Sequence, residues 1–182
     1  MGILAITNNF SDPIPKNIFN NIFIFICLGS WITGVISGFY NLGKAKPLKG
    51  KLDGFLIFEM DKIKIQEETF TLEQIKNIEI SNDDYYGKMN GSGRGNFGPA
   101  LSNGTDNTLK LKLLSGELKT YSYEMYDGND FQKVKNELMN YYLNGKIEFS
   151  NLAYVLGDRN RKEIDILKED IEKIATLQNS HP

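Results

Sequence analysis

Polar and apolar positions change rhythm twice along this chain. From Ile18 to Tyr40 no residue is charged, and Ile22 to Ile36 reads IFIFICLGSWITGVI. Roughly 20 helical residues cross a hydrocarbon layer, so this run predicts one membrane-spanning helix over 18–41. A soluble core helix or two buried strands would satisfy the same apolar run, but such elements seldom stay uncharged this long. Tyr40 is placed as an interfacial anchor, whereas Trp31 sits mid-span.

Beyond the run the period shortens to two. Residues 54–59 read as a strand, Met60-Asp61 as a turn, and Lys62-Ile63-Lys64-Ile65-Gln66 as an alternating strand. Glu67-Glu68 predicts a second turn, and a third piece runs from Phe70 through Ile75, Ile78 and Ile80. Residues 108–113 and 118–123 alternate again around the turn Ser115-Gly116-Glu117. Five strands are predicted here, with room for a sixth in the intervening loop.

The period then lengthens to that of a helix. Asp130 is an N-cap or first-turn candidate, and Phe131, Val134, Leu138, Tyr141 and Tyr142 share a face, with Gly145 as the stop. Ser150 predicts the cap of a short helix ended by Gly157. A last helix, 161–178, places Ile164, Leu167, Ile171 and Ile174 in one stripe, to pack on the β-domain or a second subunit.

These rhythms divide the chain into a lead-in (1–17), a span (18–41), a basic juxtamembrane linker (42–51), a β-domain with its closing helix (52–144) and a helical extension (145–182). The lead-in holds only Asp12 and Lys16 as charges, without the basic start of a cleaved signal peptide, so the anchor is expected to be retained. Lys44, Lys46, Lys49 and Lys51 follow the span and only Lys16 precedes it. That bias predicts a single-pass inner-membrane protein with its C-terminal part in the cytoplasm. The same four lysines are candidates for lipid head-group contact, at about 1 kcal/mol each close to the surface. Ser30, Gly34 and Gly38 form a small-residue stripe, a candidate packing face for another helix.

The whole chain has 21 basic and 23 acidic residues. Residues 1–51 hold five lysines and one aspartate, so 52–182 keeps 16 basic and 22 acidic residues, a net of -6. An acidic body argues against nucleic acid as a partner. One Cys and one His exclude a disulfide framework, a Cys/His zinc site and a Cys–His nucleophile pair.

Segment 82–107 is the oddest stretch, with the run Asn90-Gly91-Ser92-Gly93-Arg94-Gly95. No GK[ST] follows it, and Asp83-Asp84 would repel a phosphate. Neither these aspartates nor Asp127-Gly128-Asn129-Asp130 has the register of a calcium loop. Asp83, Asp84, Tyr85, Tyr86, Arg94 and Phe97 are therefore taken as a candidate partner-binding loop on an exposed hairpin excursion. Removing 88–104 is then expected to spare the fold and abolish partner binding. The sequence predicts no cofactor and no metal, and no constellation of catalytic residues. An enzyme with a site at Asp83, Asp84 and Arg94 is the weakest alternative.

A strand-rich module closed by an amphipathic helix resembles the pleckstrin-homology-like (PH-like) fold. Three stretches are similar to uncharacterised membrane-anchored proteins of the kind found in Bacteroidota: residues 81–88 (SNDDYYGK), 101–107 (LSNGTDN) and 140–149 (NYYLNGKIEF). The resemblance implies an α+β protein: a transmembrane helix, a PH-like antiparallel β-barrel or sheet, and C-terminal helices. It implies a scaffold that binds peptides, partner proteins or lipid head groups, and the chain is read as a non-catalytic, membrane-anchored module for a protein partner or a second copy. The basic first-hairpin loop of phosphoinositide binders is replaced here by Glu59-Met60-Asp61-Lys62. The rival reading is an accessory subunit of a membrane complex, recognised through its helix.

Overall fold

The computed structural model describes residues 18–89, 98–158 and 160–180. The charge-free run forms a single helix, α1 (Ile18–Leu42). Its segment Asn21–Leu42 is long and apolar enough to cross a membrane, a test that a signal sequence also meets, and none of its apolar window is buried. Phe25 and Phe39 are each 73% exposed. In water each such side chain would forgo about 1.5–3 kcal/mol of burial. Residues 44–91 and 99–182 belong to a second unit, the folded body.

The body opens with an antiparallel meander of β1 (Leu56–Phe58), β2 (Lys62–Ile65) and β3 (Glu68–Thr71). Alternation decides which face goes in: Ile63 and Ile65 are buried, while Lys62 and Lys64 stay half-exposed. The turn after β2 is at Gln66-Glu67, with Gln66 at φ 55°, so Glu68 belongs to a strand and not to the expected turn. The expected third piece is in fact two strands. Leu72–Gln74 turns between β3 and β4 (Ile75–Ser81), closed by Gln74 N–H on the Thr71 carbonyl at 3.0 Å and Thr71 N–H on Gln74 Oε1 at 3.1 Å.

β5 (Tyr86–Met89) and β6 (Leu101–Asn103) pair antiparallel, so the flanks of the 82–107 segment are strands, with β5 largely exposed and Ser102 of β6 buried. β7 (Asn107–Leu113) and β8 (Leu118–Tyr123) form the hairpin read from the sequence, and β4 joins them in the order β4-β7-β8. The described strands thus lie in three antiparallel sheets, and no closed barrel is formed.

A 3-10 turn, Asp130–Val134, leads into α2 (Lys135–Leu143), followed by α3 (Phe149–Leu156) and α4 (Arg161–Ser180). Asp130 caps no helix amide. Its carboxylate instead accepts from the N–H groups of Tyr126 and Asp127, at 3.0 and 2.9 Å, because it closes the preceding turn. Glu148, not Ser150, occupies the N-cap position of α3. Gly145 stops α2 at φ 66°, a conformation that costs glycine little. Asn160 and Glu163 cap α4 reciprocally, each side chain bonding the other's N–H at 3.0–3.1 Å.

One core joins sheets and helices. Ile63, Ile78, Leu109, Leu111, Leu138, Tyr141 and Leu152 are buried in the same cluster, and so are Leu167 and Ile171 of α4. The α4 stripe therefore packs on its own chain. Asn151 of α3 bonds both the N–H (3.0 Å) and the carbonyl (2.8 Å) of Ile80, and Lys146 reaches the Ile75 carbonyl at 2.8 Å. Together with the Ile78–Ile147 bridge, these bonds cover the outer edge of β4.

Candidate binding surface

Asp83 and Asp84 are neighbours with opposite fates. Asp83 is exposed, and its carbonyl oxygen accepts from the Lys88 ammonium. Asp84 is 5% exposed. Its Oδ2 accepts from Ser102 Oγ at 2.5 Å and from Asp106 N–H at 3.1 Å. Ser102 Oγ in turn accepts from Gly104 N–H at 3.1 Å. Asn107, fully buried, completes the network: its Oδ1 accepts from Asp84 N–H at 2.9 Å, and its Nδ2 donates to the carbonyls of Asp84 and Gly104, both at 2.8 Å.

Gly104 sits at φ 77°, where an added Cβ would run into the Met125 carbonyl oxygen and the Tyr86 amide nitrogen. A buried hydrogen-bonded network of this kind rigidifies a fold. Removing 88–104 would take Ser102 and Gly104 from it, contrary to the expectation that the fold would survive. Sequence reasoning assigned no role to Ser102, Gly104 or Asn107. The dipeptide Asn103-Gly104 is the signal that marks a tight turn there.

Tyr85, just before β5, and Tyr86, its first residue, are exposed, and Tyr86 stacks on Tyr126 with ring centroids 5.7 Å apart. Arg94 and Phe97 lie outside the described residues. The expected basic linker is not a loose tether throughout. Lys46 N–H bonds the Leu101 carbonyl at 2.9 Å and Leu101 N–H bonds the Lys44 carbonyl at 3.0 Å, which pins the first of its lysines along β6. Lys44, Lys46, Lys49 and Lys51 all have exposed side chains. In α1, Ser30 is exposed and Gly34 and Gly38 are half-exposed, and a Cβ added at Gly34 meets no atom within 4 Å. No group of three His, Cys, Asp or Glu able to hold a metal occurs among the described residues.

A cleft of about 760 Å³ opens in the body between β1 and β8. Each strand is the edge of its sheet. Phe58, Tyr123 and Phe131 form its aromatic floor, with the Phe131 centroid 5.7 Å from Phe58 and 5.9 Å from Tyr123. Burial pushes the Tyr123 hydroxyl well above its ordinary pKa, and it donates to the Ser81 carbonyl at 2.8 Å. Along one wall Tyr121 donates to Glu68, whose other oxygen takes the Lys119 ammonium at 2.5 Å. Those two bonds, Lys119's first, hold the Glu68 carboxyl below its usual range. They also tie β3 to β8.

The two edges carry free ladder groups. Glu117 carbonyl accepts from Leu113 N–H at 2.8 Å, so 113 and 117 form a hydrogen-bonded pair. Antiparallel alternation then directs residues 119, 121 and 123 at β7 and turns the N–H and C=O of Leu118, Thr120 and Ser122 outward. Gln66 N–H on the Phe55 carbonyl (3.1 Å) and Glu59 N–H on the Lys62 carbonyl (2.9 Å) likewise turn the backbone of Leu56 and Phe58 outward from β1. Nothing in the sequence told these edges from paired strands, because an alternating pattern does not name a strand's neighbours.

No family model, curated protein or solved structure matches this chain.

Proposed function

We propose that this chain is a single-pass inner-membrane protein whose body serves as a non-catalytic binding module in the cytoplasm. The observation that carries the reading is the division of labour between the units: α1 keeps its apolar surface unburied, while the body closes its own core. Four lysines after the span against one before it favour the cytoplasmic side for the body. Antiparallel sheets packed on C-terminal helices, with a gap between β1 and β8, support the PH-like architecture and its habit of binding protein partners. Asp84 is already held by Ser102 and Asp106, so we assign no chemistry to the Asp83-Asp84 pair.

Photocrosslinking amino acids placed in the body and in α1 of the full chain, in living cells, test the proposal. Protein adducts from body positions are the expected result. Adducts from α1 alone would overturn it in favour of an accessory subunit. The open space at Gly34 favours that second reading, and replacing Gly34 and Gly38 by Ile would then dissolve the complex.

A further inference from the structure

The geometry points to the β1/β8 cleft as the site where the body takes an extended segment of a partner protein, one that alternates apolar and basic residues, as an added strand. This inference rests on the binding-module reading and names its site and its ligand chemistry.

Three observations select that occupant. The first is backbone polarity. Leu118, Thr120 and Ser122 on one side, and Leu56 and Phe58 on the other, face outward with unpaired N–H and C=O groups. Only another extended backbone presents donors and acceptors at the spacing such edges offer. By contrast, the outer edge of β4 is filled by Asn151 and Lys146, so this fold covers one edge from within and leaves the pair at the cleft bare.

The second is the floor. Phe58, Tyr123 and Phe131 give an apolar bed, and every second side chain of an inserted strand points the same way, so a ligand with alternate apolar residues fits it. The third is charge. The cleft is lined by Asp53, Glu124 and Asp130 against Lys51, and Asp130 is already paired with Lys133 at 2.5 Å. In a body of net -6, Asp53 and the exposed Glu124 favour a basic ligand over an acidic one.

The test uses the full chain in phosphatidylcholine nanodiscs and two synthetic octapeptides, alternating Lys-Val and alternating Glu-Val. Hydrogen exchange is read amide by amide. The Lys-Val peptide is expected to slow exchange at Leu118, Thr120 and Ser122 while Lys119 and Tyr121, already in the β7 ladder, stay unchanged. Thr120→Pro removes one outward N–H from an edge strand and should weaken binding about tenfold. Should that variant not fold, Glu124→Lys and the wild-type exchange pattern carry the decision.

Equal binding of the Glu-Val peptide, or no protection of the outward amides, overturns the inference. So does protection that rises with protein concentration alone, which would make a second copy the occupant. If the peptides fail while crosslinkers at Tyr86 or Tyr126 still capture protein partners in cells, this inference falls and the binding-module reading stands. If no body position captures anything, the reading falls with it.

Discussion

Isoleucine, leucine and phenylalanine are used in opposite ways in α1 and in the body. In α1 they surround the helix, and Phe23, Phe25 and Ile36 are each more than 60% exposed. In the body the same residue types alternate with Lys, Thr and Glu, and Ile63, Ile75, Leu109 and Leu111 are fully buried. The difference teaches that total hydrophobicity does not decide burial; the spacing of charges does. A strand with a charge at every second position can face water on one side only. A helix with none for more than twenty residues has no face for water at all.

That contrast breaks most visibly in the core. Leu111→Ala should cost the body about 2–5 kcal/mol in urea unfolding of the detergent-solubilised chain, followed by circular dichroism. Ile26→Ala in α1 should leave the same transition in place. A charge tests the other side. Ile32→Lys, near the middle of the span, should cost about 2.5–3.5 kcal/mol of membrane insertion and move protein out of the alkali-resistant fraction. Lys at Leu118, exposed on β8, should change neither insertion nor stability measurably.

Smaller effects sharpen the comparison within the body. Asp84→Ala leaves the Ser102 hydroxyl and the Asp106 N–H without their acceptor and should cost about 1–3 kcal/mol. Asp83→Ala next to it should stay within about 0.5 kcal/mol. The least effect concerns pH. The Glu68 carboxyl is depressed by Lys119 and Tyr121, so its contribution is present above the ordinary carboxylate pKa and is lost as pH falls through the lowered value. Glu68→Gln should therefore lower stability slightly at neutral pH, where that contribution is present, and flatten the acid limb, with little change below the lowered value.

How much of this was legible beforehand depends on range. α1, the β1–β2 and β7–β8 hairpins and the α4 stripe follow from local spacing, and Gly145 and Gly157 mark their helix ends as read. β5 and β6 were hidden: they span four and three residues, and β5 shows no alternation of exposure. The Asp84–Asn107 bonds join residues 23 apart, so no short window contains both partners. The candidate site split in the same way. Exposed Tyr85 and Tyr86 were visible as an aromatic cluster, whereas the bare edges of β1 and β8 exist only once strand order is known.

The claim beneath all of this is that α1 is a retained membrane span and the body a separate cytoplasmic fold. Alkaline extraction of membranes, combined with protease treatment of intact spheroplasts carrying a C-terminal tag, tests it most directly. The account predicts a tag that stays with the membrane at high pH and is cleaved only after lysis. A tag released by alkali, or cleaved while the spheroplasts are intact, contradicts it.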